Sequence, residues 1–169
     1  MKQFDVIVVG GGVVGCMTAR ALSRYQLNVL LIEKEADIGT GASSANSAII
    51  HAGHDPLPGS LKAEMNRLAN PMWDQISIEL DIPFHRTGAY VVAIGDQECA
   101  CLDSLLQRGR ENGVTCEIIS GEEMKLREPL INPQVSGALF TPSAGMVDPF
   151  AACIAPLENA VENGVQVML

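Results

Sequence analysis

Six positions near the start of the chain narrow the possible folds more than anything else in it. Gly10-x-Gly12-x-x-Gly15 follows at once on Phe4-Asp5-Val6-Ile7-Val8-Val9, a short β-branched run of the kind found in a buried parallel strand. From Val13 to about Tyr25 the residues suit a helix, and Asn28-Val29-Leu30-Leu31-Ile32-Glu33 is a second apolar run that ends on a carboxylate. A glycine pattern this short arises by chance in many turns. A strand before it, a helix after it and an acid about 20 residues on make it a dinucleotide-binding βαβ unit. Each position has a physical reason. Gly10 permits the tight turn, Gly12 removes a side chain that would block a pyrophosphate, and Gly15 lets helix and strand pack closely. The first helical turn, Val14 within it, presents free amides and a positive dipole end to the diphosphate. Glu33 is placed to accept hydrogen bonds from ribose hydroxyls and would repel a 2'-phosphate, which disfavours NADP.

The remaining composition excludes several classes. With 47% hydrophobic and 18% charged residues in 169, the chain has the material for a folded domain with a real core. Its 11 Lys+Arg against 20 Asp+Glu, a formal charge of -9, argue against nucleic acid or anionic lipid as partners. No signal peptide is read at the start, and the apolar run from Val6 to Met17 is too short and too broken by glycine to span a bilayer. A soluble, cytoplasmic protein without an integral membrane segment is expected. Cys16, Cys99, Cys101, Cys116 and Cys153 lack the C-x-x-C spacing of zinc sites and are read as small buried hydrophobes, with no metal expected.

Further along, Gly39 to Ser47 is small and polar, a binding loop rather than a core element. Leu61, Met65, Leu68, Met72, Ile76 and Leu80 recur at steps of three and four, the stripe of an amphipathic helix from about Ser60. Pro71 predicts a kink there, or two shorter helices meeting near Asn70. An extended strand is expected over Phe84 to Ile94, then a helix capped by Asp96 and stopped by Asn112-Gly113, a short strand over Thr115 to Ile119, a helical turn over Ser120 to Arg127, and a strand over Gly137 to Thr141. Asp148-Pro149 opens a last helix that ends at Asn163-Gly164 before the strand Val165 to Leu169, which has no partner element after it. Glu-Asn-Gly-Val occurs at 111–114 and 162–165 as shared helix-to-strand punctuation, not as a repeat. The resulting expectation is an α/β fold: a Rossmann-like dinucleotide-binding βαβ domain over 1–81, an interleaved α+β segment over 82–145, and a return to the dinucleotide-binding domain over 146–169.

Ser43-Ser44-Ala45-Asn46-Ser47-Ala48-Ile49-Ile50-His51-Ala52-Gly53, then Pro58-Gly59-Ser60-Leu61-Lys62-Ala63, resembles the FAD-dependent glycerol-3-phosphate oxidases and dehydrogenases and the related L-2-hydroxyglutarate oxidases. Leu126-Arg127-Glu128-Pro129, Gly137-Ala138-Leu139-Phe140 and Ala144 to Pro149 extend the likeness over nearly the whole chain. The resemblance implies that Ser43, Ser47, Ala48 and Ile49 lie along the FAD pyrophosphate and flavin. It also implies that His51 stands near the flavin N5 as acceptor of the substrate hydroxyl proton. Neutral imidazole is poised for that work near pH 7. His54 and His85 lack such support and are expected to be solvated, and Trp73 to be packing.

The sequence departs from the family at Ala42, where a hydroxyl residue is common, at Ala48, where glycine is usual, and at Pro156 in the middle of the last helix. Family members run to several hundred residues, so only the front part of the family pattern is matched. The resemblance implies oxidation of a small anionic hydroxy compound, glycerol 3-phosphate or else L-2-hydroxyglutarate, by hydride transfer to FAD. A non-catalytic nucleotide-binding fragment is the alternative of a different class. A nicotinamide-dependent dehydrogenase is weaker, because the block from Ser43 to Ala63 would then have no task.

Overall fold

The structure, a computed structural model, describes residues 3–169. In chain order the elements are β1 (Val6–Val9), α1 (Val13–Leu22), β2 (Val29–Ile32), β3 (Ile49–Ile50), α2 (Leu61–Glu79), β4 (Phe84–His85), β5 (Ala89–Ile94), α3 (Gly95–Glu111), β6 (Glu117–Ser120), α4 (Gly121–Arg127), β7 (Val135–Thr141), β8 (Gly145–Val147), α5 (Ala151–Glu162) and β9 (Gln166–Met168). They form two compact units, one of the described residues through Ala48 with Gln75–Phe84 and Val147–Leu169, the other of Ile49–Asp74 and His85–Met146. The segment 49–74 therefore packs with the α+β residues that follow it, whereas the sequence reading carried the nucleotide-binding part through residue 81.

The first unit is built on a parallel sheet in the order β1-β2-β9. Val6 pairs with Val29 and Val9 with Ile32, then Leu30 with Gln166 and Ile32 with Met168. The parallel neighbours β1 and β2 are those the glycine motif requires. The last strand, which the sequence leaves with nothing after it, has β2 as its partner. On one face of this sheet Val6, Val8, Val29 and Leu31 pack with Cys16 and Ala19 of α1 and with Cys153, Leu157 and Ala160 of α5. By the same register Ile7, Val9 and Met168 share the other face, and all three are exposed. Helix α5 is continuous through Pro156, whose ring is buried in this core. Its start is fixed by Asp148, whose Oδ1 accepts from the amides of Phe150 (2.9 Å) and Ala151 (3.0 Å).

The second unit carries an antiparallel sheet in the order β5-β7-β6. Ala93, Leu102 and Leu139 form its core on the α3 side, and Ile119, Met124, Val135 and Ala138 form a cluster around α4. Ser120 caps α4, its hydroxyl accepting from the Glu123 amide at 3.2 Å. A small sheet in the order β3-β8-β4 completes the fold, with Ile49 opposite Met146.

Four local expectations are corrected. Phe84 to Ile94 is two strands rather than one, because Thr87 donates back to His85 at 3.0 Å and Gly88 takes a φ of 67°. The residue capping α3 is Ile94 and not Asp96, which lies within the first turn; the Glu98 carboxylate reaches back to the Ile94 amide at 2.7 Å. Helix α2 is one helix through Pro71, not two. Its stripe also faces the other way: Ala63 and Asn70 are buried while Leu61, Met65, Leu68 and Met72 are exposed. Periodicity reveals a stripe but not which side of the helix is covered.

Candidate functional site

The glycine loop sits where β1 ends and α1 begins. Gly10 has a φ of 104°, a left-handed conformation that side chains rarely adopt, and donates to Ile32 O at 2.8 Å. A Cβ on Gly15 would lie 1.9 Å from the Gly10 carbonyl oxygen, so no side chain fits between helix and turn. A Cβ on Gly12 would meet the Ser43 hydroxyl at 3.1 Å. The Val13 amide donates to that hydroxyl at 3.0 Å, while the amides of Val14 and Gly15 find no acceptor among the described residues. Two free amides at the dipole end of α1 make the setting in which a helix N-terminus holds an anion.

Glu33 does more than end a strand. Its Oε2 accepts from the Gly11 amide at 2.6 Å, and Oε1 accepts from Lys34 at 2.7 Å and Glu35 at 3.0 Å. These backbone donors, Gly11 first, hold its carboxyl below the usual carboxylate range. The side chain thus ties the glycine loop to the end of β2 and keeps a negative charge beside it. Gly12, Glu33 and Ser43 line one groove of about 550 Å3 together with Gly39, Thr40, Gly41 and Ala42. An ADP moiety needs such a groove: amides for phosphate at one end and a carboxylate acceptor for ribose at the other. The residues present fit the dinucleotide.

Asn46, which sequence reasoning passed over, organises the loop behind the groove. Its Nδ2 donates to Ala42 O (3.1 Å) and Ser43 O (2.7 Å), and its Oδ1 accepts from the Ala48 amide at 2.7 Å. The signal for it was an Asn in a run of small residues, the usual author of side-chain-closed turns. Ala48, standing where the family has glycine, has a φ of 60°. Ser47 and Ile49 are exposed.

His51 belongs to the second unit. Its ring is exposed and has no hydrogen-bond partner among the described residues. The residue borders a cavity of about 140 Å3 shared with His54, Lys62 and Asn66. Its backbone is fixed instead: His51 O accepts from Asn70 Nδ2 at 3.0 Å. His54 is not solvated as expected; its Nδ1 is buried without a partner, and burial pushes its pKa down. His85 is exposed. Of the cysteines, Cys16 and Cys153 are buried, Cys99 and Cys116 are half-buried, and Cys101 is exposed rather than buried. Among the described residues no acidic, His or Cys cluster has the makings of a metal site, and no helix is long and apolar enough to cross a membrane.

The family model described as FAD dependent oxidoreductase matches residues 5–169. The chain belongs to this FAD-dependent oxidoreductase family. It is 47% identical to glycerol 3-phosphate dehydrogenase of Caloramator mitchellensis over 99% of its own length and 35% of that protein's. It is 37% identical to the mitochondrial L-2-hydroxyglutarate dehydrogenase of Caenorhabditis elegans over 88% of this chain and 34% of that protein. Among solved structures, FAD-bound L-α-glycerophosphate oxidase from Mycoplasma pneumoniae superposes with a TM-score of 0.95 at 35% identity, covering 99% of this chain and 45% of that one. The oxidoreductase chain therefore spans less than half the length of these relatives.

Proposed function

We propose that this chain supplies the FAD-binding entry and the proton acceptor of an enzyme that oxidises the secondary alcohol of glycerol 3-phosphate. The observation that carries the reading is the groove shared by Gly12, Glu33 and Ser43, with the free Val14 and Gly15 amides beside it. In this reading Gly10, Gly12, Val14 and Gly15 seat the pyrophosphate, Glu33 takes the ribose, and Ser43, Ser47, Ala48 and Ile49 continue along the cofactor. FAD, when bound, supplies the hydride acceptor. Removing hydride from a carbinol carbon leaves a proton on the oxygen, and a neutral imidazole with an open nitrogen is the group to take it. The imidazole of His51 is exposed and unbonded among the described residues, on a backbone that Asn70 holds. L-2-hydroxyglutarate is the second substrate, favoured by the C. elegans relative.

Two measurements test this. Titration of FAD into the chain should quench flavin fluorescence, and Gly12→Val should abolish the quenching while the far-ultraviolet circular dichroism is kept. Undiminished binding by Gly12→Val would place the pyrophosphate elsewhere. In a chimera carrying these residues in place of their counterparts in the C. mitchellensis enzyme, His51→Ala should slow flavin reduction by glycerol 3-phosphate roughly 100-fold or more with FAD retained. Single-turnover rates equal to the parent chimera would remove His51 from the reaction, and reduction by L-2-hydroxyglutarate alone would transfer the substrate assignment.

A further inference from the structure

His54 Nδ1 is the one buried side-chain nitrogen or oxygen among the described residues that has no hydrogen-bond partner. The residue as a whole is half-buried, so one part of it is shut from bulk water and another is not. It borders the cavity of about 140 Å3 that His51 also borders, together with Asp55, Lys62 and Asn66. Liquid water takes about 30 Å3 a molecule, so the cavity has room for several. A buried nitrogen without a protein partner, beside a polar cavity of that size, is satisfied by water. Polar groups to hold such water surround it. Asp55 and Lys62 form an exposed pair at 3.4 Å, and Asn66, whose Nδ2 already donates to Lys62 O at 2.8 Å, has no partner for its Oδ1 among the described residues. The two histidines are also electrostatic neighbours, since a proton on His51 works against one on His54.

We propose that His54 carries away, through water in this cavity, the proton that His51 takes from the substrate hydroxyl. The inference rests on the reading of His51 as proton acceptor. A base that works once per turnover must shed its proton before the next, and substrate bound against the outer side of His51 shuts that side from water. The cavity is a second way out. Among the kinds of group around it, an ammonium has no lone pair to take a proton, a carboxamide does not titrate, and a carboxylate is too weak a base to hold one near neutral pH. Imidazole both takes and gives protons there. Burial keeps His54 neutral, ready to accept a proton and quick to release it. The balance is one proton per alcohol oxidised. His51 gives it to a cavity water, that water gives one to His54 Nδ1, and the imidazolium so formed loses one to bulk water, which leaves both histidines neutral as before. The hydride goes to the flavin, so no further oxidant is needed.

The test has two arms. The chain has 3 histidines, His51, His54 and His85, so imidazole-nitrogen magnetic resonance of the unmodified chain resolves each. At about pH 8, above the ordinary imidazole value, His54 should carry its proton on Nε2 and leave Nδ1 as an acceptor. Its ring protons should show cross-relaxation with water that resides in the cavity longer than surface water does. A proton on Nδ1, or no resident water at the ring, would overturn the inference. The second arm uses the chimera with the C. mitchellensis enzyme. His54→Gln should leave single-turnover flavin reduction within about twofold of the parent, because the first proton needs only His51. It should lower kcat roughly 10-fold, less than the 100-fold or more lost with the base itself. Added imidazole should restore kcat in proportion to its concentration, since a mobile base takes over the task, whereas a packing defect would persist. An unchanged kcat, a loss that imidazole does not restore, or an equal loss in single turnover would each overturn the inference. Failure of His51 as acceptor is read separately, from an unchanged single-turnover rate in His51→Ala.

Discussion

The side-chain amide of Asn70 donates to the main-chain oxygen of His51 at 3.0 Å, so a residue of α2 holds the backbone of the candidate proton acceptor. The same Nδ2 donates to Ser143 O at 2.9 Å, and Asn70 Oδ1 accepts from Arg86 Nη1 at 2.9 Å. Arg86 also donates to Asn70 O, to Ser143 O, and through Nε and Nη2 to both carboxylate oxygens of Asp74 at 2.9 and 2.8 Å. Asn70 itself is 7% exposed. A buried polar group whose partners are all present stabilises little, but removing it takes a hydrogen bond from each of His51 O, Ser143 O and Arg86.

Asn70→Ala should therefore destabilise the chain by about 2 to 3 kcal/mol, more than one neutral hydrogen bond is worth. Urea denaturation followed by circular dichroism measures it. A loss below about 0.5 kcal/mol would mean that the two carbonyls and the guanidinium find other partners without cost.

The two inner glycines of the loop should respond differently to the same methyl group. On Gly15 it would lie 1.9 Å from a backbone oxygen, which can move only by parting α1 from the turn. On Gly12 it would lie 3.1 Å from the Ser43 hydroxyl, which has a rotatable bond. Gly15→Ala should cost about 3 kcal/mol or more, and Gly12→Ala about 1 kcal/mol or less. Thermal melts of the two variants decide between unequal and equal effects, and equal effects would contradict the packing described for Gly15.

The motif at Gly10–Gly15 was legible because each glycine answers a local demand, a left-handed φ or a close approach, that sequence spacing records. Glu33 was legible as an acid at a strand end, but its bonds to Gly11, Lys34 and Glu35 depend on how the loop folds back. Strands β3 and β8 have two and three residues, too few for a period of two to show. The Asn70–Arg86–Asp74 network joins residues whose spacing carries no pattern, and only the packing of α2 reveals it. For α2 the periodicity identified the apolar stripe but not the side on which the helix is covered, since an apolar face marks what must be covered and not what covers it.

Ala48 occupies left-handed space, with a φ of 60°. For an L-residue with a Cβ this conformation costs about 1 to 2 kcal/mol. It is held by the Asn46 Oδ1 bond to its amide at 2.7 Å and by the Val147 amide donating to its carbonyl at 3.0 Å. Ala48→Gly relieves the strain but adds freedom to the unfolded chain, worth about 0.5 to 1 kcal/mol against it. The net expectation is a gain of about 0.5 to 1 kcal/mol, or roughly 1 to 4 °C in Tm. Calorimetry showing a lower Tm would mean that the bonds on both sides of Ala48 depend on its methyl group.

The last prediction concerns acid and His54. Burial lowers its pKa from the ordinary histidine value, His51 nearby adds to the lowering, and the Asp55 carboxylate opposes both. Its Cβ lies against α3 at Gly109, where an added methyl would meet it at 3.3 Å, and Cys116 packs at the same point. Lys62, paired with Asp55 at 3.4 Å, and Arg108, which donates to Asp55 O at 3.0 Å, keep the surroundings cationic. The sign follows from linkage. Because the folded state resists the proton, the unfolded chain binds more protons between the lowered pKa and the unfolded value of about 6.5, and stability rises with pH across that window. Acidification from above about pH 6.5 should therefore cost the chain stability before the carboxylates begin to titrate. His54→Gln, neutral at every pH, should flatten that part of the profile and leave the acid limb below about pH 5 in place. Urea midpoints on both sides of about pH 6.5 make the comparison. If the variant and the unmodified chain lose stability in parallel there, the proton responsible is not bound at His54.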